Sequence, residues 1–169
     1  QIKKLSSKKN IEITATIRLH QVKFFSKTGV PPLKRGMLMF YNMSDVSDIR
    51  TKNSIFDKDI AKSYLVNFDK YPLELDVVLP AFSWSCWFRN GKLKNLINGV
   101  GVKDLEVSSS FVKEDKNIFR AIKECSLKGN YILSGYYLRT EEIDFNTTLG
   151  AAELIAPHIK NKKINISIY

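Results

Sequence analysis

From Ile11 to Leu19 apolar and polar residues alternate without a break, Ile11, Ile13, Ala15, Ile17 and Leu19 against Glu12, Thr14, Thr16 and Arg18. Successive side chains of an extended chain point to opposite faces, so this period of two predicts a strand with one face in a core. The same period returns at residues 73–79, where Leu73, Leu75, Val77 and Leu79 alternate with Glu74 and Asp76. It appears again in Phe82, Trp84, Cys86 and Phe88, in Leu105, Val107, Ser109 and Phe111, and in Ile164, Ile166 and Ile168. Residues 37–41 (Met-Leu-Met-Phe-Tyr) form a wholly apolar run too short for three helical turns, which fits a buried strand. Residues 131–139 are tyrosine-rich and β-compatible, with Gly135 at an expected bulge.

The breaks between these runs carry turn chemistry. Beyond Leu19 the apolar parity shifts to Val22 and Phe24, which predicts a bulge or bend near His20 and Gln21. Gly29, Pro31 and Pro32 stop the ladder, because proline lacks an N–H and fixes φ. Pro80 ends the 73–79 strand or places it at an edge. Arg89-Asn90-Gly91-Lys92 between alternating runs predicts a type I′ hairpin with residues 93–97 as the return arm. Helical spacing of Phe56, Ile60, Tyr64 and Leu65 predicts a short helix over 56–65. A second helix is expected over 117–127, with Asp115 as its cap, Ile118, Ile122 and Cys125 on one face, and Lys128-Gly129 as its stop. A two-turn helix is expected over 149–156, limited by Pro157. The sum is a strand-rich α+β fold of about seven mostly antiparallel strands with two or three short helices. It would form one globular domain over 11–169, preceded by a basic flexible arm over 1–10.

Composition supports a packed fold. The 169 residues are 44% apolar, and Phe, Trp and Tyr make up 11%. No apolar run approaches the roughly 20 residues that span a bilayer. Cys86 and Cys125 read as buried free thiols, with one disulfide as the alternative. The triplets starting at Asn42, Asn146 and Asn165 occur at a frequency that chance supplies.

Catalytic and metal-binding patterns are sparse. His20 and His158 have no carboxylate or cysteine at ligand spacing, so no metal site and no cofactor is expected. Neither cysteine sits in a nucleophile motif, and no phosphate-binding glycine loop or Gly-x-Ser-x-Gly elbow occurs. Asp45, Asp48, Asp57 and Asp59 match no cation loop and read as helix caps and a solvated face. Alternation places Trp84 toward a core and leaves Trp87, beside Arg89, as the candidate exposed aromatic contact.

The charge of +10 is unevenly placed. Residues 1–35 hold Lys3, Lys4, Lys8, Lys9, Arg18, Lys23, Lys27, Lys34 and Arg35 against one acid, Glu12, and the far end adds Lys160, Lys162 and Lys163. The stretch between is close to neutral. Basic extremities on a neutral body point to an anionic partner, either a phosphate backbone or an acidic bilayer, whose binding would weaken as salt rises. The candidate anion contacts are Lys3, Lys4, Lys8, Lys9, Lys34, Arg35, Lys160, Lys162 and Lys163.

A Lys-, Asn- and Ile-rich chain of this size, with a basic head before an α+β body, resembles the small matrix proteins of rhabdoviruses, particularly the plant-infecting kind. Val30-Pro31-Pro32-Leu33 has the paired prolines of a budding motif without its tyrosine, and no functional residue transfers. The resemblance implies a non-enzymatic, self-associating assembly protein of virion and host cytoplasm that links ribonucleoprotein or RNA to an anionic membrane surface, with no small-molecule substrate. The alternatives are a small RNA-packaging capsid protein, and a secreted or periplasmic adaptor domain that binds a protein partner and for which a Cys86–Cys125 disulfide would be expected.

Overall fold

The computed structural model describes residues 12–159 and 163–169. The expected basic arm, and Lys160 and Lys162, lie outside the described residues. Helices and strands are mixed and most strand pairings are antiparallel. The strands number eleven, more than the sequence pattern predicts, and five α-helices accompany them among the described residues. Contacts gather into two compact units whose segments alternate along the chain.

The first unit takes the segments up to Asn42, Lys58–Pro80 and from Asn146 onward. Its sheet contains β1 (Ala15–Arg18), β2 (Arg35–Met39), β3 (Glu74–Leu79) and β11 (Ile166–Ile168), hydrogen-bonded in the order β1-β2-β3-β11 with every pair parallel. Parallel neighbours need crossovers, and helices supply them here. α1 (Leu19–Lys23) and α2 (Phe25–Thr28) lead from β1 to β2, α3 (Lys58–Leu65) leads to β3, and α5 (Phe145–Ile155) precedes β11. The pleat is tight where β1 meets β2: a Cβ on Gly36 would lie 2.7 Å from Ile17 Cγ1, so only glycine fits that rung.

A buried carboxylate ties this sheet together. Asp76, 4% exposed in the middle of β3, accepts hydrogen bonds from Arg35 Nη1 at 2.8 Å, from the backbone N–H of Asn165 at 2.8 Å and from Asn165 Nδ2 at 3.2 Å. One side chain thereby binds the start of β2 and the residue that leads into β11. Burial by itself would raise the Asp76 pKa, but the Asn165 hydrogen bonds and the Arg35 charge outweigh it and hold the carboxyl below its ordinary value.

The second unit takes Met43–Asp57 and Ala81–Phe145. Its antiparallel sheet runs β5-β4-β10-β7-β6, from β4 (Ser83–Arg89), β5 (Lys92–Asn98), β6 (Phe111–Asp115), β7 (Ile118–Ala121) and β10 (Tyr137–Glu142). A separate hairpin pairs β8 (Cys125–Leu127) with β9 (Asn130–Ile132), and α4 (Val102–Glu106) precedes β6. Ile97, Val100, Leu105, Phe119, Ile132 and Leu138 form its core. The β4–β5 turn has Asn90 at φ 50° and Gly91 at φ 70°, the left-handed pair that a type I′ hairpin requires.

Several expectations need correction. The 117–127 segment is not a helix. β7 lies between β6 and β10, Phe119 and Ala121 are buried in alternation, and Lys128 and Gly129 both have positive φ as the turn of the β8–β9 hairpin. The expected 105–111 strand begins instead as α4, whose first turn is secured by the Gly101 N–H donating to Asp104 Oδ2 at 2.8 Å. The parity shift at His20 is the onset of α1 rather than a bulge, with Leu19 and Val22 buried three residues apart. The 149–156 helix starts earlier, at Phe145. Pro80 ends β3, and β3 is interior, with β2 and β11 on its two sides.

Replacing Asp76 by Asn should cost about 3 kcal/mol, because Arg35 keeps its charge and loses its nearer, buried partner, keeping only the exposed Glu74 at 3.3 Å. A carboxyl whose folded pKa lies below its unfolded value stabilises at pH above that unfolded value and loses the contribution as pH falls through the folded one. Urea titrations at pH 7 and pH 3 should therefore show a smaller stability difference in Asp76→Asn than in the parent.

Candidate functional site

Two constellations stand out, one in each unit. In the second unit a glutamate is enclosed in β10. Glu141 Oε2 accepts from the Ser54 N–H at 2.8 Å, Ser54 Oγ at 2.6 Å and Trp84 Nε1 at 2.9 Å. Its Oε1 accepts from Arg139 Nε at 2.9 Å and Nη2 at 2.5 Å, with Cys86 Sγ at 3.6 Å. The guanidinium of Arg139 also donates to the carbonyls of Val46 and Asp48 and lies over the Phe88 ring. A glutamate in a polar cluster invites a general-acid reading, but Glu141 is 1% exposed and its lone pairs are taken. It has no face for a substrate. Its work is to anchor the 43–57 loop to β4 and β10, directly through Ser54 and through Arg139, which it holds against the two carbonyls.

The second constellation lies at the carboxyl ends of the parallel strands. Ligands of parallel β/α sheets bind at that end, where the strands deliver side chains and the following loops vary freely. β2 delivers Tyr41 there and β11 delivers Tyr169. Pairing continues past the strand ends through Phe40 N–H to Val78 O at 3.0 Å and Tyr169 N–H to Leu79 O at 3.0 Å. The two tyrosine rings stack with centroids 5.8 Å apart and planes inclined by 9°. Tyr169 is 67% exposed, whereas Tyr41 is half-buried. Burial, and then the electrostatic influence of Tyr169, hold the Tyr41 hydroxyl above the ordinary tyrosine value, so it is a protonated donor at neutral pH. Asn42 follows at φ 55°, a left-handed conformation uncommon outside glycine that turns the chain sharply away from the strand.

The residues singled out from sequence fall elsewhere. Lys34 and Lys163 are exposed. Arg35 is half-buried and engaged by Asp76 and by Glu74 at 3.3 Å. Lys3, Lys4, Lys8, Lys9, Lys160 and Lys162 lie outside the described residues. Trp87 is half-buried against Tyr136, its Nε1 is buried without a partner, and the exposed Arg89 guanidinium sits 5.5 Å above the same tyrosine ring. Cys86 and Cys125 are both free. His158 packs edge-on against Phe68, and Asp45 and Asp48 cap turns through Ser47 and Arg50. The sequence reading passes over Tyr41, as the last residue of an apolar run, and Tyr169. The available signal is a β–α–β succession at 37–41, 56–65 and 73–79, which implies parallel strands and directs attention to their carboxyl ends.

No protein-family model matches the chain, and no curated protein matches it in sequence. Solved structures resemble it in fold. The spore cortex-lytic enzyme SleL of Bacillus cereus superposes with a TM-score of 0.51 at 11% identity, over 94% of this chain and 37% of that one. A glycoside hydrolase family 18 N-acetylglucosaminidase of Paenibacillus barengoltzii gives 0.44 at 9% identity, and a class V chitinase of Nicotiana tobaccum gives 0.43 at 10%. These two matches cover 99% of this chain and 54% and 55% of theirs. The chain thus spans just over a third of the first structure's length and about half of the others'. The SleL likeness concerns the fold alone. It overturns the expectation of a non-enzymatic matrix-like assembly protein, along with its capsid and adaptor alternatives and the exclusion of enzymes. The charge distribution behind that expectation carries no information about fold.

Burial, with the Glu141 carboxylate beside it, pushes the Cys86 thiol up to about 12. Native protein treated with iodoacetamide at pH 8 should therefore take a single adduct, at the half-exposed Cys125, and denatured protein should take two, as read by intact mass. Glu141→Gln, which leaves Arg139 buried without its counter-charge, should cost about 3–5 kcal/mol and open Cys86 to the reagent.

Proposed function

We propose that this chain is part of the body of an enzyme acting on a polysaccharide, and that it supplies substrate-holding surface rather than the bond-cleaving groups. The observation that carries this reading is the stacked Tyr41–Tyr169 pair at the carboxyl ends of parallel strands, the end at which β/α enzymes bind their substrates. An exposed, rigid aromatic face suits a sugar, whose axial C–H bonds form an apolar plane while its hydroxyls seek donors and acceptors at the rim; tyrosine supplies both. Asn42, turned out of the strand beside them, adds an amide within the same stretch of chain. The likeness of fold to a spore cortex-lytic enzyme supports the same reading.

Glycoside hydrolysis in most families uses a pair of carboxylates flanking the scissile bond. The two buried carboxylates described above, Asp76 and Glu141, are saturated by their partners and are not assigned that role. What remains for this surface is to bind the polymer and fix its direction.

Sedimentation of the protein with insoluble peptidoglycan and with chitin tests the reading. Retention on at least one is expected, weakened about fivefold to tenfold by Tyr41→Ala or Tyr169→Ala and largely kept by the corresponding phenylalanines, which preserve stacking. A folded wild-type protein retained by neither polymer, and releasing no sugar from either, would remove the proposal.

A further inference from the structure

At the tip of the β4–β5 hairpin two cations face each other. Arg89 and Lys92, both exposed, are partners on the last rung before the Asn90-Gly91 turn. Like charges directly opposite on a sheet destabilise it. Nothing in the neighbouring sequence offsets them, because residues 77–103 and 125–140 contain no aspartate or glutamate. Arg35, Arg50, Arg120 and Arg139 each have a carboxylate partner. Arg89 has none among the described residues, and its guanidinium lies instead 5.5 Å from the ring centroid of Tyr136.

The groups around this pair are assembled on one side of the hairpin. Tyr136 also meets Trp87, with ring centroids 5.5 Å apart and planes inclined by 38°, so the arginine and the indole share one tyrosine. Asn95 stands opposite Trp87 on β5, and its Nδ2 donates to Asn130 Oδ1 at 2.9 Å. Asn130 Nδ2 in turn donates to the Lys128 carbonyl at 3.1 Å, which ties the β8–β9 turn and its exposed lysine to β5. The register shifts between Trp87 and Phe88, and Lys94 is the extra residue of that bulge. A guanidinium stacked on a ring and free of any acid presents an ordered fork of N–H donors, the geometry that receives a carboxylate. The half-buried aromatic surface beside it suits the apolar face of a sugar ring.

We propose that Arg89, Tyr136 and Trp87, with Lys92, Lys94 and Lys128 as flanking charges, bind a polysaccharide that bears carboxylate groups. The acid sits between Arg89 and Lys92, and the sugar ring lies against the aromatic pair. The class of ligand rests on the polysaccharide reading above, whereas the site is a second one, within the antiparallel unit, and shares no residue with the Tyr41–Tyr169 pair.

Fluorescence anisotropy of a labelled oligogalacturonate tests it on the 169-residue chain. Polygalacturonate and alginate should compete, and fully methyl-esterified polygalacturonate, which keeps the rings and loses the charges, should compete at least about tenfold more weakly. Arg89→Ala should weaken binding about tenfold, and Arg89→Lys nearly as much, because lysine keeps the charge and lacks the fork. Lys70→Ala, which removes one exposed charge from the other unit, should change it by less than about twofold. Binding indifferent to Arg89→Ala, an equal loss from Lys70→Ala, or undiminished competition by the methyl ester would overturn the proposal. So would tighter binding of poly(U) than of either carboxylated polymer, which would make a nucleic acid the occupant. Retention on chitin or peptidoglycan, read in parallel, separates the two sites. A protein retained there through Tyr41 and Tyr169 that ignores galacturonate refutes this site alone, and one that binds galacturonate through Arg89 without such retention supports it and refutes the other.

Discussion

A single carboxylate, Asp76, holds the parallel sheet together. Parallel strands cannot be joined by tight turns, so their partners come from distant sequence and something must fix the register once they meet. Asp76 does this by bonding Arg35, forty-one positions before it, and Asn165, eighty-nine positions after it. The same solution appears in the antiparallel unit, where Glu141 gathers Ser54, Trp84 and Arg139. In both places the acid is expensive to bury and stable once its donors are in place, and removing its arginine leaves a buried charge without a counter-charge. Each unit therefore has one point at which several remote segments must arrive together.

The local elements were legible in sequence to the degree that neighbours in the chain determine them. The Asn90-Gly91 hairpin, the helix ending at Leu65 and the alternating strand ending at Leu79 depend on turn chemistry and period alone, and the structure contains them. The stretch from Asn117 to Leu127 has an equally good helical spacing, yet it is β7 and β8, because flanking strands offer β7 a ladder and Asn117 is fixed to Lys52 and Thr140 by side-chain bonds. Tertiary pairing overrides propensity there. Asp76 read as one polar position on a half-buried strand, and nothing short of Arg35 and Asn165 in place distinguishes a saturated interior acid from a solvated one. The site was least legible, since Tyr41 and Tyr169 are far apart in sequence and gain meaning only when two strands point the same way.

Charge and fold pointed in different directions, and the reason is physical. A net charge and its segregation describe long-range attraction, solubility and encounter rate, all of which are set by surface residues that fold families exchange freely. The order of strands in a sheet is set by crossovers and buried contacts, which change slowly. Arg35 illustrates the gap: it belongs to the basic N-terminal stretch in sequence, and in the structure its charge is spent on Asp76 and Glu74.

The interleaving of the two units has a consequence for synthesis on the ribosome. The antiparallel unit is complete once Phe145 has emerged, whereas the parallel sheet lacks its last strand until the chain reaches Ile168. Domains fold as their residues become available. The early strands β1 to β3 must therefore wait, with apolar faces uncovered, through the translation of some sixty-five residues, Ala81 to Phe145, that contribute nothing to their sheet.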